Sequence, residues 1–91
     1  MDERQFHSEV LRAQTLSRLD PDKQDYYAGY IRGLRRRYHG ATFGTDAEHA
    51  TWLALVDDAD ESRAARGRGY CDGFAGPQTE EPGTTEAADD E

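Results

Sequence analysis

Along the first stretch of the chain, Phe6, Val10 and Ala13 recur at helical spacing, and Leu16 and Leu19 follow near the same side. Polar residues fill the intervals, so the pattern predicts a helix over residues 3–19. Asp20-Pro21 ends it, because the residue before a proline is pushed out of the α region while proline suits the first turn of a new helix. Asp20 is then a natural N-cap, with Asp22 and Asp25 placed against the positive end of the next helix dipole. That second helix, over residues 21–38, has the clearest pattern of all. Tyr27, Tyr30, Ile31, Leu34 and Tyr38 form one apolar and aromatic stripe at i, i+3, i+4, i+7 and i+11. Gly40 follows as a C′ residue suited to the left-handed conformation.

Thr45, with Glu48 three residues on, reads as a capping box that opens a third helix. Its buried side is expected at Ala50, Leu53 and Val56, with Trp52 beside them. The run 52–56 has strand propensity, but a capping box precedes it and no second strand exists to pair with it. The acidic stretch 57–60 bends the chain, and a fourth helix is expected over 60–74. The predicted fold is therefore all-α: a small bundle of three to four helices over residues 1–76. Residues 77–91 have no aromatic or branched aliphatic side chain and are rich in proline, glycine, threonine and acid. Such a segment cannot bury enough apolar surface to offset its ordering entropy, so a disordered acidic C-terminal tail is expected there.

Charge changes this picture less than its total suggests. The chain has 91 residues and a formal charge of −8, from 19 acidic and 11 basic residues. The tail holds Glu80, Glu81, Glu86, Asp89, Asp90 and Glu91 and no basic residue, so the helical part is nearly balanced. All its basic residues are arginines except Lys23. Cys71 is the single cysteine, which excludes an intramolecular disulfide and suits a reducing compartment. No apolar run approaches the roughly 20 residues that span a bilayer. The N-terminus lacks the apolar stretch of a signal peptide. A soluble, cytoplasmic protein with no membrane partner is the expectation.

Two features invite a functional reading. Gly29-Tyr30-Ile31-Arg32-Gly33-Leu34 and Gly69-Tyr70-Cys71-Asp72-Gly73-Phe74 share one pattern, 40 residues apart. Two occurrences are too few for a solenoid, which leaves duplication or coincidence. Gly29 and Gly33 stack on one face of the second helix, and Gly69 and Gly73 on one face of the fourth. Each costs about 1 kcal/mol relative to alanine, so close helix packing is the preferred reading over a ligand or partner at that face. The expectation is an apolar stripe facing helices one and three, with the glycine side facing helix four.

The second feature is cationic. Arg32, Arg35 and Arg36 lie at i, i+3 and i+4 and share a face, with Arg37 and His39 adjoining. Such a patch suits acidic side chains of a protein partner or the phosphates of a nucleic acid. The bland alternative is a solvated helix end, satisfied by Asp and Glu neighbours or by the acidic tail itself, its cations opposing the negative dipole terminus. The near-zero domain charge does not favour a dedicated nucleic-acid binder.

No catalytic, cofactor or metal signature stands out. His7, His39, His49 and Cys71 come from different segments without ligand spacing, and read as structural or surface residues. The acidic cluster Asp57, Asp58, Asp60 and Glu61 reads as capping and solubility rather than phosphate mimicry. The run from Tyr30 through Gly40, continuing through Phe43-Gly44-Thr45 to Glu48-His49 and Trp52, resembles small uncharacterised phage and prophage proteins. The resemblance covers about a third of the chain and carries no activity onto particular residues. It implies kinship with small acidic inhibitors of host factors, anti-CRISPR proteins among them. The expected function is a non-enzymatic protein-interaction module, with Arg32, Arg35, Arg36, Arg37 and His39 contacting a host protein. The alternative is a small nucleic-acid-binding regulator using the same arginines. A homodimer closed through the glycine faces is a third reading.

Overall fold

A computed structural model of the chain describes residues 2–76. The tail expected over 77–91 lies outside the described residues. Among those described, the chain forms four α-helices and three single-turn 3₁₀ helices, with no strand. Helix α1 spans Glu3–Leu19 and opens where the Asp2 carboxylate accepts a hydrogen bond from the Gln5 backbone N–H at 2.8 Å. Helix α2 spans Gln24–His39, later than proline alone suggests, because Pro21–Lys23 form a 3₁₀ turn first. Asp20 makes no side-chain cap; its backbone N–H donates to the Leu16 carbonyl and so closes α1 instead of opening α2. Gly40 ends α2 at φ 65°, a conformation that disfavours any residue with a Cβ.

Helix α3, Asp46–Ala54, has the expected capping box. The Thr45 hydroxyl accepts from the Glu48 N–H at 3.0 Å, and the Glu48 carboxylate accepts from the Thr45 N–H at 2.9 Å. A 3₁₀ turn, Leu55–Asp57, then leads to helix α4, Glu61–Ala75, which is capped by the Asp60 carboxylate.

The apolar stripe of α2 packs on α1. Phe6, Ala13, Tyr30 and Leu34 are buried together, with Val10, Tyr27, Ile31 and Tyr38 packed around them. The Phe6 ring stacks on Tyr38, 4.4 Å between centroids, while Glu9 reaches Tyr30, so the two helices are antiparallel. Leu19, which the pattern sets near the buried side, is 76 % exposed because the chain turns away at Asp20. Helix α3 packs mainly on α4 rather than on α2. Its inward residues are His49, Trp52, Leu55 and Val56, whereas Ala50 and Leu53 face solvent. His49 lies against Tyr70 and Phe74, and Leu55–Val56 against Gly67, so α3 runs antiparallel to α4.

The largest interface joins α2 to α4, and it is made of backbone. A Cβ added to Gly29 would overlap the Arg66 carbonyl oxygen, and one on Gly33 that of Tyr70. A Cβ on Gly69 would overlap the Tyr26 carbonyl, and one on Gly73 that of Tyr30. Residue numbers rise together along this seam, so α2 and α4 are parallel. Glycine is required because only a bare Cα lets the helices approach to Cα–H···O distance. Gly67 performs a similar service on another face, where a Cβ would lie 2.5 Å from the Val56 nitrogen.

Three tyrosines brace the two hairpins, α1–α2 and α3–α4. The Tyr26 phenol donates to Asp72 at 2.5 Å across the seam, and the Tyr30 phenol donates to Glu9 at 3.3 Å. Tyr70 shares a 2.6 Å hydrogen bond with His49 Nδ1. Burial pushes all three phenols above the usual tyrosine value, helped by Asp72 at Tyr26 and by the Glu9 charge at Tyr30. Folding therefore favours the protonated phenols. Their contribution is fully present below the ordinary tyrosine value of about 10 and is lost as pH rises through the higher folded values.

Two outcomes follow from this packing. Gly69→Ala should lower stability by about 2–3 kcal/mol in urea denaturation, because the new methyl must push α2 away. Helix propensity alone predicts a gain of about 1 kcal/mol, so the sign of the change decides between the two accounts. In alkaline titration, stability should hold to about pH 10 and fall beyond it, with three phenols ionising late by phenolate absorbance. Loss of helical circular dichroism well below that pH would contradict the assignment.

Candidate interaction surface

The five residues of the cationic patch occupy one end of the molecule but do different things. Arg36 is buried, with its side chain only 10 % exposed. Its guanidinium donates to the Phe43, Gly44 and Thr45 carbonyls at 3.5, 3.5 and 3.2 Å, and to the Asp46 carboxylate at 2.8 Å. Arg36 thus clasps the linker between α2 and α3. Its planar fork serves several acceptors at once, which a lysine could not do.

Arg32 is half-buried, its guanidinium 5.2 Å from the Phe43 ring centroid and 5.0 Å from that of Trp52. It is held by ring faces and ties α2 to α3. Arg37 is exposed and donates to the Phe74 carbonyl at 3.2 Å, bridging the C-terminal ends of the two parallel helices. Its side chain also covers Gly76. His39 is exposed and makes edge contacts with Phe6 and Tyr38. Arg35 is exposed and, among the described residues, has no hydrogen bond, ion pair or ring contact. The shared face expected for Arg32, Arg35 and Arg36 is accordingly divided: two of the three turn inward toward α3 and the linker.

A cleft of about 450 Å³ opens beside this end, lined by Arg36, Arg37, Tyr38, Gly40, Ala41 and Phe74. At the opposite end, where α2 and α4 begin, a cleft of about 490 Å³ is lined in part by Asp22, Asp25, Glu61, Tyr26 and Tyr27. Charge is sorted along α2, with Asp25 in its first turn and Arg36, Arg37 and His39 in its last, as its dipole favours, whereas α4 carries Arg63, Arg66 and Arg68 in its first half and no basic residue in its last turn. Sequence reading singled out the arginines but not their partners Phe43, Asp46, Trp52 and Phe74. The Phe43–Asp46 stretch follows α2 closely enough that a strap from its last turn was a legible possibility. The Phe74 contact depends on helix packing and carried no local signal.

The remaining candidates have structural partners. Asp58 accepts from the Asp60 N–H at 2.8 Å and from Arg63 at 3.2 Å, which hold its carboxyl below the usual range. The half-buried Cys71 thiol is pushed up by burial and by the Asp72 charge, which keeps it protonated at neutral pH. Among the described residues, no group of three or more His, Cys, Asp or Glu side chains could hold a metal ion. None of the helices there is long and apolar enough to cross a membrane. No protein-family model, curated protein or solved structure matches the chain.

Arg36 and Arg35 should respond very differently to truncation. Arg36→Ala is expected to cost about 2 kcal/mol in chemical denaturation, the scale of losing charged hydrogen bonds from a buried group. Arg35→Ala should stay within about 0.5 kcal/mol, as for an exposed residue without partners. Equal costs would refute this division of roles.

Proposed function

We propose that the chain is a non-enzymatic interaction protein that binds an acidic surface of a partner protein through the C-terminal end of α2. The observation that carries this reading is the contrast within the arginine run. Arg36 fixes the α2–α3 linker and so makes a rigid frame, while Arg35 projects from it with no partner among the described residues, and Arg37, His39 and a cleft occupy the same end. A cation held on a helix and backed by a clasped linker loses little freedom on binding, which favours affinity from a small surface. The resemblance to small phage and prophage proteins, a group that includes the kind of small acidic protein from which inhibitors come, supports a host factor as the target.

The nucleic-acid alternative is weaker on the same geometry. With Arg36 consumed by the linker and Arg32 by two ring faces, few cations remain to track a phosphate backbone, where affinity depends on their number.

The variant that tests this reading is Arg35→Glu combined with Arg37→Glu, which leaves the Arg36 clasp intact. Host lysate passed over wild type and variant, read by mass spectrometry, should yield a protein held by the first and lost from the second. Helical circular dichroism should be unchanged. Equal capture by both chains would sink the proposal. Salt-sensitive binding to mixed oligonucleotides would turn the assignment to nucleic acid.

A further inference from the structure

The contacts of the seam are reciprocal at a fixed offset. Gly29 meets the Arg66 carbonyl and Gly69 meets that of Tyr26; Gly33 meets the Tyr70 carbonyl and Gly73 meets that of Tyr30. Adding 40 to the α2 member of one pair and subtracting 40 from its α4 member gives the partner pair. Gly33 also approaches the Phe74 nitrogen as Gly73 approaches that of Leu34.

The relation extends beyond the glycines. Tyr30 is bonded by Glu9 of α1, and Tyr70 by His49 of α3, at the same offset on both sides. Asp20 and Asp60 also stand 40 residues apart, each directly before the next helical element, although only Asp60 caps that element with its side chain. The chain is thus two helical hairpins, α1–α2 and α3–α4, related by a pseudo-two-fold along the parallel pair. Such reciprocity, in which i contacts j as j contacts i, is the signature of an isologous dimer interface.

Between the hairpins runs a single short linker, residues 40–45, turned back on itself and held by Arg36. Apart from this strap and the Arg32 contacts, the hairpins meet chiefly through the seam.

We propose that a second copy of this chain can take the place of its own second hairpin. The linker opens, and the α3–α4 hairpin of each copy packs on the α1–α2 hairpin of the other. The seam is the same in both forms, so the balance is set by the linker and by concentration. A short linker presents the second hairpin at an effective concentration of roughly millimolar, which keeps the dilute chain monomeric. Near that concentration the exchanged dimer competes. The Arg36 clasp favours the closed monomer. A glycine-face dimer thereby becomes possible, though the glycine faces are filled within each chain.

The test uses two full-length chains of different tag mass, mixed, unfolded in urea and refolded together. Refolding at roughly millimolar chain concentration should give a dimer containing both tags by size exclusion and mass spectrometry, and refolding far below it only monomer. The dimer should persist for hours after dilution, because separation requires opening the seam. Arg36→Ala should raise its fraction several-fold at equal concentration. Monomer alone at every concentration would overturn the proposal, as would a dimer that dissociates as fast as it is diluted, which marks surface association. A lasting dimer with an unchanged fraction in Arg36→Ala overturns the clasp role. If that variant does not fold, the native chain decides the exchange by itself.

Discussion

Two helices cannot ordinarily approach until their backbones touch, since Cβ atoms hold the axes apart. Here α2 and α4 do so at four points, each a glycine Cα set against a carbonyl oxygen of the opposite helix. That contact demands glycine at 29, 33, 69 and 73, and in the register observed the helices run parallel. Because they are parallel, the chain needs a return segment between them, which α3 supplies. For the same reason both positive helix ends fall together, as do both negative ends. On α2 itself, Asp25 at the start and the arginines of the last turn complement the dipole. Asp25–Arg66 at 3.0 Å, Tyr26–Asp72 and Arg37–Phe74 are cross-ties that only this parallel register brings within reach.

The apolar core is small: besides the seam, a few side chains such as Phe6, Ala13, Leu34 and Tyr70 are buried. A fold with so little apolar burial depends on close backbone packing and on tyrosines whose hydroxyls find partners. The same economy shapes the surface. Arginines near the end of α2 are drawn inward to satisfy linker carbonyls, cover ring faces and cap the neighbouring helix. What projects is Arg35, which has no partner among the described residues, and the proposed contact surface follows from that remainder.

Legibility in the sequence depended on how local the governing interaction was. Helix α1, the stripe on α2, the Gly40 stop and the Thr45–Glu48 capping box were readable because each rests on residues within one or two turns. The Asp20 cap was misread, since Asp20 prefers to close α1 through its backbone. The inward side of the α3 segment was legible in part: Trp52 and Val56 are covered as expected, but Ala50 and Leu53 face solvent and His49 turns inward instead. The helix is short, so its pattern is weak, and Gly67 on α4 determines how it docks. Among the candidate site residues, Arg36 looked equivalent to Arg35 in the sequence. Its role depends on carbonyls whose direction is set by the fold of the linker.

The recurring glycines show where sequence ends and structure begins. The sequence by itself determined that four helices form, that two of them carry glycines at i and i+4, and that the pattern repeats after 40 residues. These follow from periodicity, caps and propensity, which act along the chain. Only the tertiary structure decided that the two glycine faces meet each other, in parallel and in reciprocal register. It also decided that the arginines divide between inward clasps and one outward charge. Those outcomes depend on distances between residues far apart in sequence, and nothing local encodes them.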